Sequence, residues 1–198
     1  MSQARPLTRQ ARKEQTRAAI VAAAMKLFAR DGIEATSLDA IASEIGLTKG
    51  AIYSTFSSKD ELVEAVAVAN SVTVNEDLLF DASVPMKEVL RRLAAELMVA
   101  RKQITRDQYV LFLELFMYER RHGSWGKKMA DENRAAFETD GRRLERAMKE
   151  RGERLSVPPA EFFTAVNALA TGVVLQLERD PGSLSAETVT TLFESLAE

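Results

Sequence analysis

Cysteine is absent from the 198 residues, and histidine occurs once, at His122. The first absence excludes a disulfide framework, a thiol nucleophile and thiolate metal ligation. The second excludes a zinc centre built from several imidazoles, and no metal or cofactor is expected. No motif pairs a nucleophile with a base, which argues against an enzyme. Long apolar runs are also missing. The longest uncharged stretch, Phe162 to Leu177, has 16 residues and includes Thr, Asn and Gln, short of the ~20 apolar residues a bilayer span needs. No early apolar stretch follows the basic N-terminus, so neither a secretory leader nor a membrane partner is expected, and the expected location is the cytoplasm. Nor is there an excess of one charge: 27 basic against 29 acidic side chains leave a net −2.

What is present is an ordinary globular mixture, 46% apolar and 28% charged, long enough for one domain or two small ones. The charge is unevenly placed. The first 30 residues carry a net +6 through Arg5, Arg9, Arg12, Lys13, Arg17, Lys26 and Arg30, and the rest of the chain sums to −8. A basic end on an acidic chain suits a polyanion partner there, or is simply a solvated arm.

Apolar residues recur almost everywhere at helical spacing, so the fold class is all-α. Ile20, Ala24, Leu27 and Phe28 form one stripe, and Asp31-Gly32 is a helix stop. Thr36 or Ser37 can cap a short helix to about Ile45, where Gly46 ends it, and Thr48 opens another ending near Phe56. Ser58-Lys59-Asp60-Glu61 is a capping box that begins a helix expected over 58–78. Met86, Leu90, Leu93 and Leu97 stripe the next helix; Tyr109–Tyr118 is apolar almost all round and is expected at the centre of the fold. Phe137, Leu144 and Met148 mark a further helix that Arg151-Gly152 ends. Pro158-Pro159 starts another over 158–178, and Val189, Leu192, Phe193 and Leu196 define the last, over 185–197.

The segment 38–56, LDAIASEIGLTKGAIYSTF, has a narrower meaning. Ile41, Ile45, Leu47, Ile52 and Phe56 are spaced to bury one face of two short crossed helices. Ala42 is small at the crossing, and Gly46 sits at the turn. This is a helix-turn-helix pattern, with 38–45 supporting and 48–55 as recognition helix. The positions left over are Thr48, Lys49, Gly50, Ala51, Tyr53, Ser54 and Thr55: one cation, hydroxyls and small side chains that fit a major groove. An ordinary helical hairpin with a glycine turn is the competing reading.

The block TSLDAIASEIGLTKGAIYSTFSSKDEL, residues 36–62, resembles the DNA-binding domain of the TetR family of transcriptional regulators, and residues 17–32 fit that family's first helix. The resemblance covers roughly the first third of the chain. It implies a three-helix DNA-binding domain over 1–57, with 1–8 as a basic arm, and a larger helical effector-binding and dimerisation domain over 58–198, about nine helices in all. By that resemblance Lys49, Gly50 and Ala51 lie at the groove-facing start of the recognition helix, followed by Ser54 and Thr55. Tyr53, Lys59 and Thr36 or Ser37 would meet phosphate, which sets register without reading sequence. The arm Arg5–Arg9 could enter a minor groove or remain a tail.

One motif per chain calls for a homodimer on a roughly palindromic double-stranded operator. The expected interface is the uncharged helix and its successor, through Phe162, Val166, Leu169, Val173, Leu177, Val189 and Phe193. The resemblance also implies a small-molecule effector pocket, to which Met98, Phe112, Glu114, Phe116, Trp125, Phe137 and Asn167 are assigned. Glu114 on an apolar helix either faces that pocket or pairs at the surface. The function so read is a ligand-released transcriptional repressor. The alternatives are a helical carrier or enzyme with an incidental motif, and a DNA-binding dimer with no effector.

Overall fold

The computed structural model describes residues 8–71 and 76–197, which form nine α-helices and two short 3-10 turns with no strand. Arg5, Pro6 and Leu7 of the basic arm lie outside the described residues. Packing gathers the chain into two compact units: residues up to Ser71 with Thr105–Lys127, and Val72–Ile104 with Lys128–Glu198. The division therefore differs from the expected boundary at 57/58, because later helices pack with the first four.

In the first unit, α1 (Arg9–Asp31) begins at Thr8, whose hydroxyl accepts the Ala11 N–H, and buries Ile20, Ala23, Ala24, Leu27 and Phe28 along one face. Gly32 ends it at φ +86°, with the Glu114 carboxylate 3.2 Å from where a Cβ would stand. α2 (Leu38–Glu44), α3 (Lys49–Tyr53) and α4 (Lys59–Asn70) are each capped by a hydroxyl, from Ser37, Thr48 and Ser58 respectively. Gly46 takes φ +66° in the turn between α2 and α3. The Ser58 hydroxyl accepts the Glu61 N–H, but the Glu61 carboxylate reaches back one residue further than a capping box requires, to the N–H and hydroxyl of Ser57. Those bonds hold the Glu61 carboxyl below the usual range.

Two expectations need correction. α4 ends at Asn70 rather than 78: Ser71 is already extended, and Glu76–Phe80 is a separate 3-10 turn, with 72–75 outside the described residues. α6 (Arg106–Arg121) is not a central helix. It lies against α1 and α4 through one face, burying Leu111 and Tyr118, while Phe112, Leu113, Phe116 and Met117 stay 39–56% exposed. An apolar perimeter states how many faces could be buried, not how many neighbours arrive.

In the second unit, α5 (Met86–Arg101) packs chiefly on α9 (Ala186–Glu194) and also on α8 (Pro159–Arg179). Its stripe of Met86, Leu90, Leu93 and Leu97 is buried with Leu144 and Met148 of α7 (Gly123–Arg151), Phe162, Phe163, Val173 and Leu177 of α8, and Val189 and Phe193 of α9. α7 starts in the first unit and continues into the second. α8 is long and apolar enough to meet the length and composition test for crossing a membrane, and 22% of its most apolar stretch is buried within the chain.

Candidate nucleic-acid interface

The crossing of α2 and α3 buries Ile41, Ala42, Ile52 and Phe56, with Ile45 and Leu47 half-buried beside them. Side-chain hydroxyls close both ends of α3. The Thr48 hydroxyl accepts the Ala51 N–H at 3.2 Å, and the hydroxyls of Ser54 and Thr55 both donate to the Ala51 carbonyl, at 2.9 and 3.0 Å. This packing leaves Thr48, Lys49, Gly50, Tyr53 and Ser54 exposed, with Ala51 and Thr55 half-buried. Tyr53 is 48% exposed. Its hydroxyl has no hydrogen-bond partner among the described residues.

Lys49, the one long cation of the recognition helix, is held by a residue the sequence reading passed over. Its ammonium donates to the Asp39 carboxylate at 2.7 Å and lies 5.8 Å from the Tyr53 ring. That hydrogen bond and the adjacent charge raise the lysine's pKa above its ordinary value. No spacing rule relates positions 39 and 49; only the helix crossing brings them together.

Of the two candidate phosphate contacts before α2, Ser37 is exposed and caps the helix. Thr36 is 3% exposed, and its hydroxyl donates to the Gly32 carbonyl at 2.8 Å. Burial thus removes Thr36 from any surface a duplex could touch. The Lys59 ammonium donates to the Glu34 carbonyl at 3.2 Å, and partial burial lowers its pKa. Lys59 therefore stays at the base of the motif, beside the α1–α2 turn.

Further polar contacts fasten α6 within the same unit. The Tyr118 hydroxyl donates to Asp60 at 2.5 Å, the His122 Nε2 and Glu34 Oε1 are 2.7 Å apart, and the His122 ring stacks on Tyr118 at 3.9 Å. His122 is the C-cap of α6, just outside the helix. Asn70 donates to the Gln108 carbonyl at 3.1 Å. The half-buried Glu114 carboxylate accepts the Ile33 N–H at 3.1 Å, just past the end of α1.

The residues assigned to an effector pocket are divided between the two units. Phe112, Glu114, Phe116 and Trp125 belong to the first unit, and Met98, Phe137 and Asn167 to the second. Trp125 is buried with its edge against Tyr118, and Phe137 stacks on Phe163 at 6.2 Å. Asn167 is exposed. A cavity of about 520 Å³ in the second unit is lined by Glu145, Lys149, Glu153 and Arg154 among others, and by none of these seven.

Of the residues assigned to a dimer interface, five are fully covered within their own unit and two are half-buried. Phe162, Val173, Leu177, Val189 and Phe193 are buried in their own unit's core, and Val166 and Leu169 pack against it. Periodicity identifies an apolar face without saying which neighbour covers it. The uncharged face of α8 that remains open carries Thr164, Asn167, Ala168 and Gly172, with Thr171 and Leu175 half-buried; α9 adds Thr188, Thr191 and Leu192.

Residues 20–66 match the model of the bacterial regulatory proteins of the tetR family. The chain is 29% identical over 109 residues to the HTH-type transcriptional regulator AcrR of Shigella flexneri, covering 54% of this chain and 50% of that protein. It spans between 25% and 55% of the length of the curated relatives it matches. Among solved structures it resembles the multidrug-binding protein EbrR complexed with imidazole, at a TM-score of 0.66 and 18% identity over 98% of both chains. It also resembles NalD of Pseudomonas aeruginosa, the secondary repressor of the MexAB-OprM multidrug efflux pump. There the TM-score is 0.57 and the identity 22%, over 93% of this chain and 94% of that one.

Proposed function

We propose that this chain, whose residues 20–66 match the model of the bacterial regulatory proteins of the tetR family, is a homodimeric, sequence-specific DNA-binding repressor released by a small-molecule effector. The observation that carries the DNA-binding reading is the exposed face of α3. Lys49, Gly50, Tyr53 and Ser54 stand clear of a core completed by Ile41, Ile52 and Phe56. Lys49 offers donors and Ser54 an acceptor oxygen to base edges, Tyr53 and Ser37 offer hydroxyls to phosphate, and Gly50 and Ala51 let the helix approach the groove floor. A regulator that reads chromosomal DNA works in the cytoplasm.

Two copies are needed, because a single short recognition helix makes few contacts and operators present half-sites a helical turn or more apart. The open, uncharged face of α8 with the outer side of α9 supports a two-fold bundle there. The effector reading draws on EbrR, whose structure holds a small molecule. It also draws on Phe112, Leu113, Phe116 and Met117, apolar side chains that α6 leaves exposed and that suit an adaptable apolar contact. Repression is the role printed for NalD. To release DNA 100-fold, the effector must favour the non-binding state by about 2.7 kcal/mol.

The test is selection of bound fragments from a random duplex pool at near-physiological salt, where a basic arm alone holds DNA weakly. Enrichment of one inverted repeat is expected, and Lys49→Ala with Tyr53→Phe should abolish that enrichment while leaving the helical content intact. Folded protein that enriches no sequence would overturn the reading.

A further inference from the structure

The motif's cations are answered by acids of their own unit. Lys26 pairs with Glu44 at 2.6 Å, Arg30 with Asp31 at 2.7 Å and Arg17 with Glu61 at 3.8 Å. None of those pairs includes a residue of α3. The Lys49–Asp39 pair is different because it lies at the start of the recognition helix and joins that helix to the supporting one. Asp39 is the second residue of α2, and its carboxylate stands 2.7 Å from the charge that must meet the duplex.

We infer that Asp39 is a specificity-determining residue, positioning the Lys49 ammonium for base edges while cancelling its attraction to phosphate. The inference rests on the DNA-binding reading above. An ammonium has three donors. Asp39 takes one, and two remain to reach acceptors such as guanine O6 and N7. Fixing the first donor fixes the fan of the other two, with the Tyr53 ring 5.8 Å away on the same helix. The carboxylate also leaves the pair with no net charge, so it neutralises no phosphate and releases no counterion when the protein rests on unrelated sequence. Operator binding keeps its base contacts, whereas binding elsewhere loses a cation. The ratio of the two affinities rises on both counts.

The size is bounded by exposure. The two side chains are 63% and 53% exposed, and solvent screening limits such a pair to an effect of about fivefold at most. The experiment uses the whole 198-residue chain with two probes, a duplex selected by the wild type and a scrambled duplex of equal length. Fluorescence anisotropy is read across a salt series. Asp39→Asn should tighten the scrambled duplex about two- to fivefold and steepen its log–log salt slope by about 0.9, the release expected for one more phosphate contact. It should leave the selected duplex no tighter, so that discrimination falls. Asp39→Glu, which keeps the charge and the reach, should restore discrimination.

In a Lys49→Ala background Asp39→Asn should change neither slope nor discrimination. The inference is overturned if Asp39→Asn leaves discrimination and both slopes unchanged. It is equally overturned if both duplexes weaken in parallel, the mark of a damaged α2, or if the effect persists without Lys49. A wild type that selects no duplex overturns the DNA-binding reading itself, a result that cannot be mistaken for these.

Discussion

Tyr118 joins three segments of the first unit through one ring. Its hydroxyl donates to Asp60 at the start of α4, and its face carries His122, which in turn meets Glu34 after α1. Burial, followed by the bond to Asp60, raises the phenol's pKa well above its ordinary value near 10. The folded state therefore favours the protonated phenol. Its contribution to stability is complete below pH 10 and declines as pH rises beyond that value. An absorbance titration of the three tyrosines should contain one component ionising later than a free phenol, and Tyr118→Phe should remove it. The same substitution should lower stability by about 0.5–1.5 kcal/mol below pH 10, read by denaturant titration, and abolish the alkaline decline. No part of this cluster is legible in sequence, since Glu34, Asp60, Tyr118 and His122 are spread over 89 positions. Glu114 was conspicuous as a carboxylate among apolar neighbours, yet its partner is a backbone N–H that only packing supplies.

Helix starts followed from local chemistry. Ser37, Thr48, Ser58, Thr105 and Ser185 each place a hydroxyl on an amide three residues on, a bond that needs no tertiary partner. Helix ends were legible where glycine forced them, at Gly32, Gly46 and Gly152, all with positive φ. The end of α4 carries no such marker. The junction of α6 and α7 carries a different kind of constraint: a Cβ on Gly126 would lie 2.4 Å from the Glu119 carbonyl oxygen, inside any permitted contact. Because backbone rather than a flexible side chain is in the way, Gly126→Ala should cost about 1–3 kcal/mol of unfolding free energy. Denaturant unfolding measures this, and an unchanged midpoint would show that the turn relaxes freely.

At the scale of the molecule, α8 decides whether the proposed particle is double. Gly172 lies on its open face, and an added Cβ there meets nothing within 4 Å. Gly172→Arg should therefore leave the chain folded, since arginine also favours a helix interior over glycine. It should bury an unpaired charge if a second copy packs on that face. Light scattering is expected to show monomer in place of dimer, with loss of the selected duplex in the same sample. A dimer of unchanged mass would move the interface elsewhere. The side of α8 expected to meet a second copy is the side that faces its own unit's core. Phe162, Val173 and Leu177 are the most apolar positions, and they are already covered by α5 and α9.

By itself the sequence determined the all-α class, the hydroxyl caps and the helix-turn-helix with its buried face. Each of these depends on residues within about twenty positions, where periodicity, capping and turn geometry act. Tertiary structure alone decided that α6 packs against α1 and α4, that Thr36 is buried and that Asp39 holds Lys49. Those outcomes depend on which surfaces meet after the helices have formed. Many pairings of apolar faces bury similar area, and the choice among them is made by the whole chain at once.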